Sequence, residues 1–160
     1  SMGSWFRCGR GGGENGRTLW GAKFPGLGSD AGAWAGPQVV KANDARIAPG
    51  GRLMRRTRVD ELPRIFHVLR GDMSFVGPRP ERPFFVDQLA TQIPFYAARH
   101  SVKPGITGWA QVNYKYGSSA QDALHKQQFD LYYVKNHTLF LDLLVLMKTV
   151  KVVLSGEGAH

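Results

Sequence analysis

The sequence predicts one α+β domain, mostly helical, with a short β-hairpin near the N-terminus. Three observations carry that reading. Apolar residues recur at helical spacing from Leu62 to Leu69, from Gln121 to Asn136 and from Leu139 to Leu154. An Asn15-Gly16 pair precedes Thr18-Leu19-Trp20-Gly21-Ala22-Lys23-Phe24, as a hairpin turn precedes its returning strand. The 160 residues are 42% hydrophobic, which suits one modest core and excludes a disordered chain.

Residues 1–38 are rich in glycine. Outside the strand after Gly16 they read as loop, turn or disorder. Gly9 to Gly13 lacks the Gly-Lys-Ser/Thr that would make it a phosphate loop, and reads as a flexible connector. Ser1-Met2-Gly3-Ser4 reads as a cloning scar, which leaves residues 5–160 as the domain.

Leu62, Ile65, Phe66 and Leu69 lie at i, i+3, i+4 and i+7, one apolar face of a helix. Pro63 fits only a first turn, where its missing N–H has no partner, so the helix starts between Thr57 and Glu61. Gly71 marks its end. A second helix is expected over Arg82 to Ala98, with Phe84, Phe85, Leu89 and Ile93 on one side and a break or kink at Pro94. Val102 to Trp109, with Pro104-Gly105 and Gly108, reads as a structured loop. Gln121 to Asn136 reads as a helix whose Leu124, Phe129, Tyr132 and Tyr133 form an aromatic face for the core. Leu139 to Leu154 is too short to span a bilayer, and Asp142, Lys148 and Lys151 interrupt it. It either docks on the core or lies in a membrane interface.

Net charge is +9 and the pI is about 10.1, which favours an anionic partner. Nucleotide, phosphorylated lipid, phospholipid surface and nucleic acid all qualify. The single cysteine, Cys8, excludes an internal disulfide. The histidines are scattered without zinc-ligand spacing.

The chemistry concentrates between Arg55 and Pro80. Asp60 and Glu61 sit at a helix start behind Arg55, Arg56 and Arg58, and Pro78-Arg79-Pro80 follows. Acids at a helix start are ordinary caps and dipole partners. Adjacent carboxylates among arginines also suit phosphate chemistry with a divalent cation. Carboxylate oxygens hold Mg²⁺, and guanidinium forks grip phosphate.

The run RTRVDELPRIFHVLRGDMSFVGPRP resembles the signature of the bacterial sugar transferases, the monotopic polyprenyl-phosphate phosphoglycosyl transferases. VKPGITGWAQVNY from Val102 to Tyr114 and FDLYYVKN from Phe129 to Asn136 resemble later family motifs in the same order. The resemblance implies transfer of sugar-1-phosphate from a UDP-sugar to polyprenyl (undecaprenyl) phosphate. UMP would be released, and exopolysaccharide or glycan assembly primed at the cytosolic face of the inner membrane. It implies Asp60 as the nucleophile of an aspartyl-phosphosugar intermediate, Glu61 as its dyad partner, and Mg²⁺ held by Glu61 and Asp60. Arg55 and Arg79 match phosphate or nucleotide contacts. Lys23 keeps the lysine of a family Lys-Phe-Arg run, whose arginine is Pro25 here. Lys115 stands where many members carry arginine. Asp130 matches a recurrent acid that orients a basic residue or binds nucleotide.

Family members also carry a hydrophobic N-terminal membrane segment. The expectation is therefore a soluble truncation of a larger membrane protein, still drawn to an anionic membrane surface. Two other classes compete. A catalytically weak scaffold in a polysaccharide complex is one. A single-strand nucleic-acid binder built on Trp109, Tyr114, Lys115 and Tyr116 is the other, but no nucleic-acid motif is present and no nucleic acid is expected.

Overall fold

The structure, a computed structural model, describes residues 7–23, 59–114 and 120–155, with side chains omitted for 7–10, 21–23 and 120. Residues 1–4, Thr57 and the sequence-predicted site residues Arg55 and Lys115 lie outside the described residues.

The chain opens with the expected hairpin. Strand β1 (Arg7–Gly12) pairs antiparallel with β2 (Thr18–Lys23), from Arg7 opposite Lys23 to Gly12 opposite Thr18. Asn15 and Gly16 supply the positive φ angles of the turn, 54° and 73°. One expectation fails here. The glycines from Gly9 to Gly12 are strand, not connector. Their small size has a packing reason, since a Cβ on Gly12 would come within 2.6 Å of the His100 ring.

The central helix begins as a 3-10 segment, Val59–Arg64, and continues as α1 (Ile65–Arg70). Pro63 sits inside the 3-10 part, and Gly71 ends α1 with φ 84°, both as the sequence requires. The amphipathic pattern is present, but Leu62, Phe66 and Leu69 point to solvent. Periodicity reports a face without saying what covers it.

Two short strands were not foreseen. β3 (Ser74–Val76) pairs in parallel with β4 (Gly105–Thr107), Ser74 opposite Gly105 and Val76 opposite Thr107. β4 lies inside the stretch expected to be loop. Each strand is three residues long, too short for an alternation to register. At their crossing Gly77 N–H donates to Thr107 O at 2.9 Å, and Gly105 N–H to Pro78 O at 2.9 Å. A Cβ at Gly105 would collide with the Gly77 backbone, so only glycine permits the approach.

Helix α2 (Pro83–Gln92) ends earlier than predicted. Pro94 cannot continue it, and Phe95 turns the chain with φ 57° into a 3-10 segment, Tyr96–Ser101. A short α3 (Trp109–Asn113) precedes α4 (Ala120–Asn136) and α5 (Leu139–Ser155).

The core gathers Val76 from β3, Tyr133 from α4 and Leu141 and Val145 from α5. Val102, Trp109, Val112 and Leu144 pack around them. Burying each large apolar side chain contributes roughly 1.5–3 kcal/mol. The predicted aromatic face of α4 is corrected. Tyr132 is exposed and stacks on Trp109, while Leu124 and Phe129 are half-buried. The buried face of α4 is Gln127, Asp130 and Tyr133, spaced three apart. Each holds another segment. Gln127 Nε2 donates to Phe95 O at 3.1 Å, Asp130 pairs with Arg99, and Tyr133 OH donates to Val76 O at 3.2 Å. No helix among the described residues is long and apolar enough to cross a membrane.

Candidate functional site

The 3-10 segment places Asp60 half-buried and Glu61 buried in its first turn. A carboxylate leaves water only when cations and donors replace its hydration. Glu61 has two. Arg79 Nη2 donates to its Oε1 at 2.8 Å, and Arg64 Nη1 lies 3.6 Å from its Oε2. The Arg79 side chain is 25% exposed against 6% for Glu61, so a solute meets the arginine first.

Arg79 sits on a loop with little freedom. Pro78 and Pro80 fix φ on either side. Three main-chain carbonyls of this stretch are held by three different elements. Pro78 O accepts from Gly105 of β4, and Glu81 O accepts from Gly12 of β1 at 2.8 Å. Arg79 O accepts from the Arg99 guanidinium at 2.7 Å.

Arg99 is buried and reaches three groups at once. Its Nη2 lies 2.9 Å from Asp130 Oδ2 as well as 2.7 Å from Arg79 O, and its Nη1 donates to Tyr96 OH at 2.7 Å. Burial pushes the Asp130 carboxyl from its ordinary 3.8 up to about 6, with Glu81 pushing the same way and Arg99 and Lys126 pulling against. Lys126, half-buried on α4, completes the charged cluster. Burial lowers its pKa, Arg79 and Arg99 add to that, and Glu81 and Asp122 oppose it. An anion entering beside Arg79 and Lys126 would relieve this crowding of cations.

Of the sequence-predicted residues, the structure brings Asp60, Glu61 and Arg79 into one site. Asp130 stands one guanidinium away, against Arg99. Lys23 closes β2, whose strand packs on the Val59–Arg64 segment, and its side chain is not among those described. Sequence reasoning missed Arg64, Arg99 and Lys126. Arg64 carried a signal, being three residues beyond Glu61 on a helical turn. Arg99 carried none, since the partners that tie it to the site, Arg79 and Asp130, lie 20 and 31 residues away.

Mg²⁺ needs one or two carboxylates and completes its octahedron with water or substrate phosphate. Asp60 and Glu61 fit that requirement as adjacent acids, although Glu61 is already neutralised by guanidinium groups. Among the described residues no cluster of three or more acidic, histidine or cysteine side chains forms a closed metal cage.

The chain is 49% identical over 125 residues to a UDP-N-acetylgalactosamine-undecaprenyl-phosphate N-acetylgalactosaminephosphotransferase of Aeromonas hydrophila, covering 78% of this chain and 30% of that protein. It is 46% identical over 116 residues to an uncharacterized sugar transferase of Bacillus subtilis, covering 72% and 54%. It is 40% identical over 129 residues to a UDP-glucose:undecaprenyl-phosphate glucose-1-phosphate transferase of Caulobacter vibrioides, covering 78% and 48%. The chain thus spans about half or less of the length of these relatives. The bacterial sugar transferase pattern matches residues 1–156, nearly the whole sequence, and the chain belongs to that family.

Proposed function

We propose that this chain is the catalytic part of a phosphoglycosyl transferase, passing sugar-1-phosphate from a UDP-sugar to polyprenyl phosphate. The observation that carries the reading is the Arg79–Glu61 pair at 2.8 Å beside Asp60. It holds a cation of the Pro78–Pro80 loop against the short helical turn that carries the candidate nucleophile.

In this reading a carboxylate oxygen of Asp60 attacks the sugar-bearing phosphorus. The bond from that phosphorus to the bridging oxygen breaks, and UMP leaves with the electron pair. A phosphate oxygen of the polyprenyl acceptor then attacks the same phosphorus and expels the Asp60 carboxylate. No net proton is gained or lost in either displacement. Attack of an anion on an anionic diphosphate needs positive charge, which Arg79 supplies on the exposed side of the pair and Lys126 nearby. Glu61 holds Arg79 in place. Asp60 and Glu61 would also hold Mg²⁺, which supplies further charge neutralisation when bound.

The names of the relatives point to a lipid acceptor, and two features of this chain suit a lipid surface. Its charge is +9, and α5 turns Phe140, Leu143, Met147, Val150 and Leu154 outward in one stripe. Leu141 and Val145 dock the opposite side of α5 on the core, so both sequence readings of this helix have a face. We place the working protein at the cytosolic face of the inner membrane, on anionic lipid.

The test is UMP release from a panel of UDP-sugars by the full-length protein in liposomes. The reading predicts that release beyond one UMP per protein requires polyprenyl phosphate, and that one sugar is preferred. Absence of release with every donor would leave the scaffold alternative.

A further inference from the structure

We propose that Arg99 and Asp130 are a buried positioning pair that sets Arg79, through its main-chain carbonyl, for its contact with Glu61. The proposal rests on the transfer reaction proposed above and deepens it.

The connection is continuous in space. Asp130 Oδ2 pairs with Arg99 Nη2 at 2.9 Å, and the same nitrogen donates to Arg79 O at 2.7 Å. The Arg79 guanidinium then reaches Glu61 Oε1 at 2.8 Å, next to Asp60. Arg99 is the side-chain member of the three clamps on this loop; Gly12 and Gly105 are the main-chain members. Only a guanidinium offers enough donors in a planar fork to serve a carboxylate, a hydroxyl and a carbonyl together. Lysine has three donors on a point charge and no such fork.

Position argues the role further. Asp130 and Arg99 are both buried, out of reach of a substrate, so neither touches the reacting atoms. Stability alone does not explain the charges. Burial raises the Asp130 carboxyl while Arg99 pulls against it, and taking two charges out of water is costly. What the charges give is a fixed direction. Gln127, one turn earlier on α4, holds Phe95 O, and so the entry to the segment that carries Arg99. One helix face therefore sets the arginine loop from behind.

The experiment has two arms on the full-length protein. In the first, hydrogen exchange is followed at the amides of Gly12 and Gly105, which bond to the loop. Asp130→Asn should speed both by roughly tenfold, while the α5 amides stay unchanged. Unchanged exchange at both glycines would overturn the proposal whatever reaction the protein performs. In the second arm, turnover is measured for Asp130→Asn, Arg79→Ala and the double variant. Asp130→Asn should lower kcat by about 10- to 100-fold with donor KM within about threefold. The double variant should be no slower than Arg79→Ala, because both act on one element. Additive losses, or a raised KM with unchanged kcat, would make Asp130 a substrate contact instead. If Asp130→Asn does not fold, Tyr96→Phe replaces it under the same criteria, since it removes one Arg99 partner and keeps both charges. Failure of the wild type to release UMP would defeat the reaction assignment, while the exchange arm still decides the clamp.

Discussion

Two regions of this molecule invert the usual distribution of side chains, in opposite directions. Behind the Pro78-Arg79-Pro80 loop the interior is charged, with Glu61 at 5%, Arg99 at 6% and Asp130 at 2% exposure. On α5 the surface is apolar, with Phe140 at 76%, Met147 at 64% and Leu154 at 81%. A buried charge and an exposed apolar stripe are each the informative exception to hydrophobic burial. They answer different demands. The interior charges hold one another in fixed directions, as chemistry on anionic phosphate requires. The outer stripe is largely exposed among the described residues, and in the proposed reading it faces a lipid surface. Under the proposed reading, the molecule is polar where it would react and apolar where it would meet lipid.

The largest effect should separate the reacting carboxylate from its surroundings. Asp60→Asn is nearly isosteric and should leave the melting temperature close to wild type. Transfer should fall by at least roughly 10³-fold, because an amide is a far poorer nucleophile. Near-normal turnover of the folded variant would remove Asp60 from the role. Arg79→Ala comes next. It should slow transfer by about 10²-fold and, by taking the 2.8 Å guanidinium partner from the buried Glu61, cost about 2–3 kcal/mol of stability. Parallel urea titrations check the second figure, and a loss of activity without loss of stability would mean that Glu61 does not depend on Arg79.

The apolar region is probed by Met147→Glu. Liposome co-sedimentation should weaken roughly tenfold on anionic vesicles, with thermal stability little changed, since the side chain is 64% exposed. Equal binding of wild type to neutral and anionic vesicles would instead assign the affinity to apolar insertion alone. High salt should weaken the anionic case, because the attraction is screened within a Debye length.

The smallest expected effect concerns pH. Asp130 has a folded-state value near 6 against an ordinary 3.8. The folded chain therefore holds its proton more tightly than the unfolded chain. Its contribution to stability is full below about 3.8 and is lost as pH rises through about 6. The melting temperature of wild type minus that of Asp130→Asn should thus fall by a few degrees between pH 4 and pH 7. A difference that grows over this range would mean that the attraction to Arg99 outweighs burial.

Much of this was legible in the sequence, and the limits have physical causes. The hairpin followed from Asn15-Gly16, and the helix over Val59–Arg70 from Pro63, Gly71 and a repeating apolar face. α4 and α5 were read to within a residue or two. Local chemistry dictates those elements. β3 and β4 escaped because a parallel pair of three-residue strands is made by two distant segments and leaves no local pattern. The outward turn of Phe66 and Leu69, and the polar inner face of α4, escaped for a related reason. Spacing identifies a face but not its environment. Within the site, Asp60, Glu61 and Arg79 were legible as a cluster of types. Arg99 was not, because its task is defined by Arg79 O and Asp130, which only the fold brings near.

In the proposed reaction, phosphorus passes through Asp60. The most direct measurement is intact and peptide mass spectrometry of the protein after exposure to its UDP-sugar without polyprenyl phosphate. A sugar-phosphate adduct should appear on the peptide containing Asp60, with one UMP released per adduct. It should vanish on addition of the acceptor and never form in Asp60→Asn. Turnover with no adduct at any stage, or an adduct on a different residue that survives Asp60→Asn, would contradict the account.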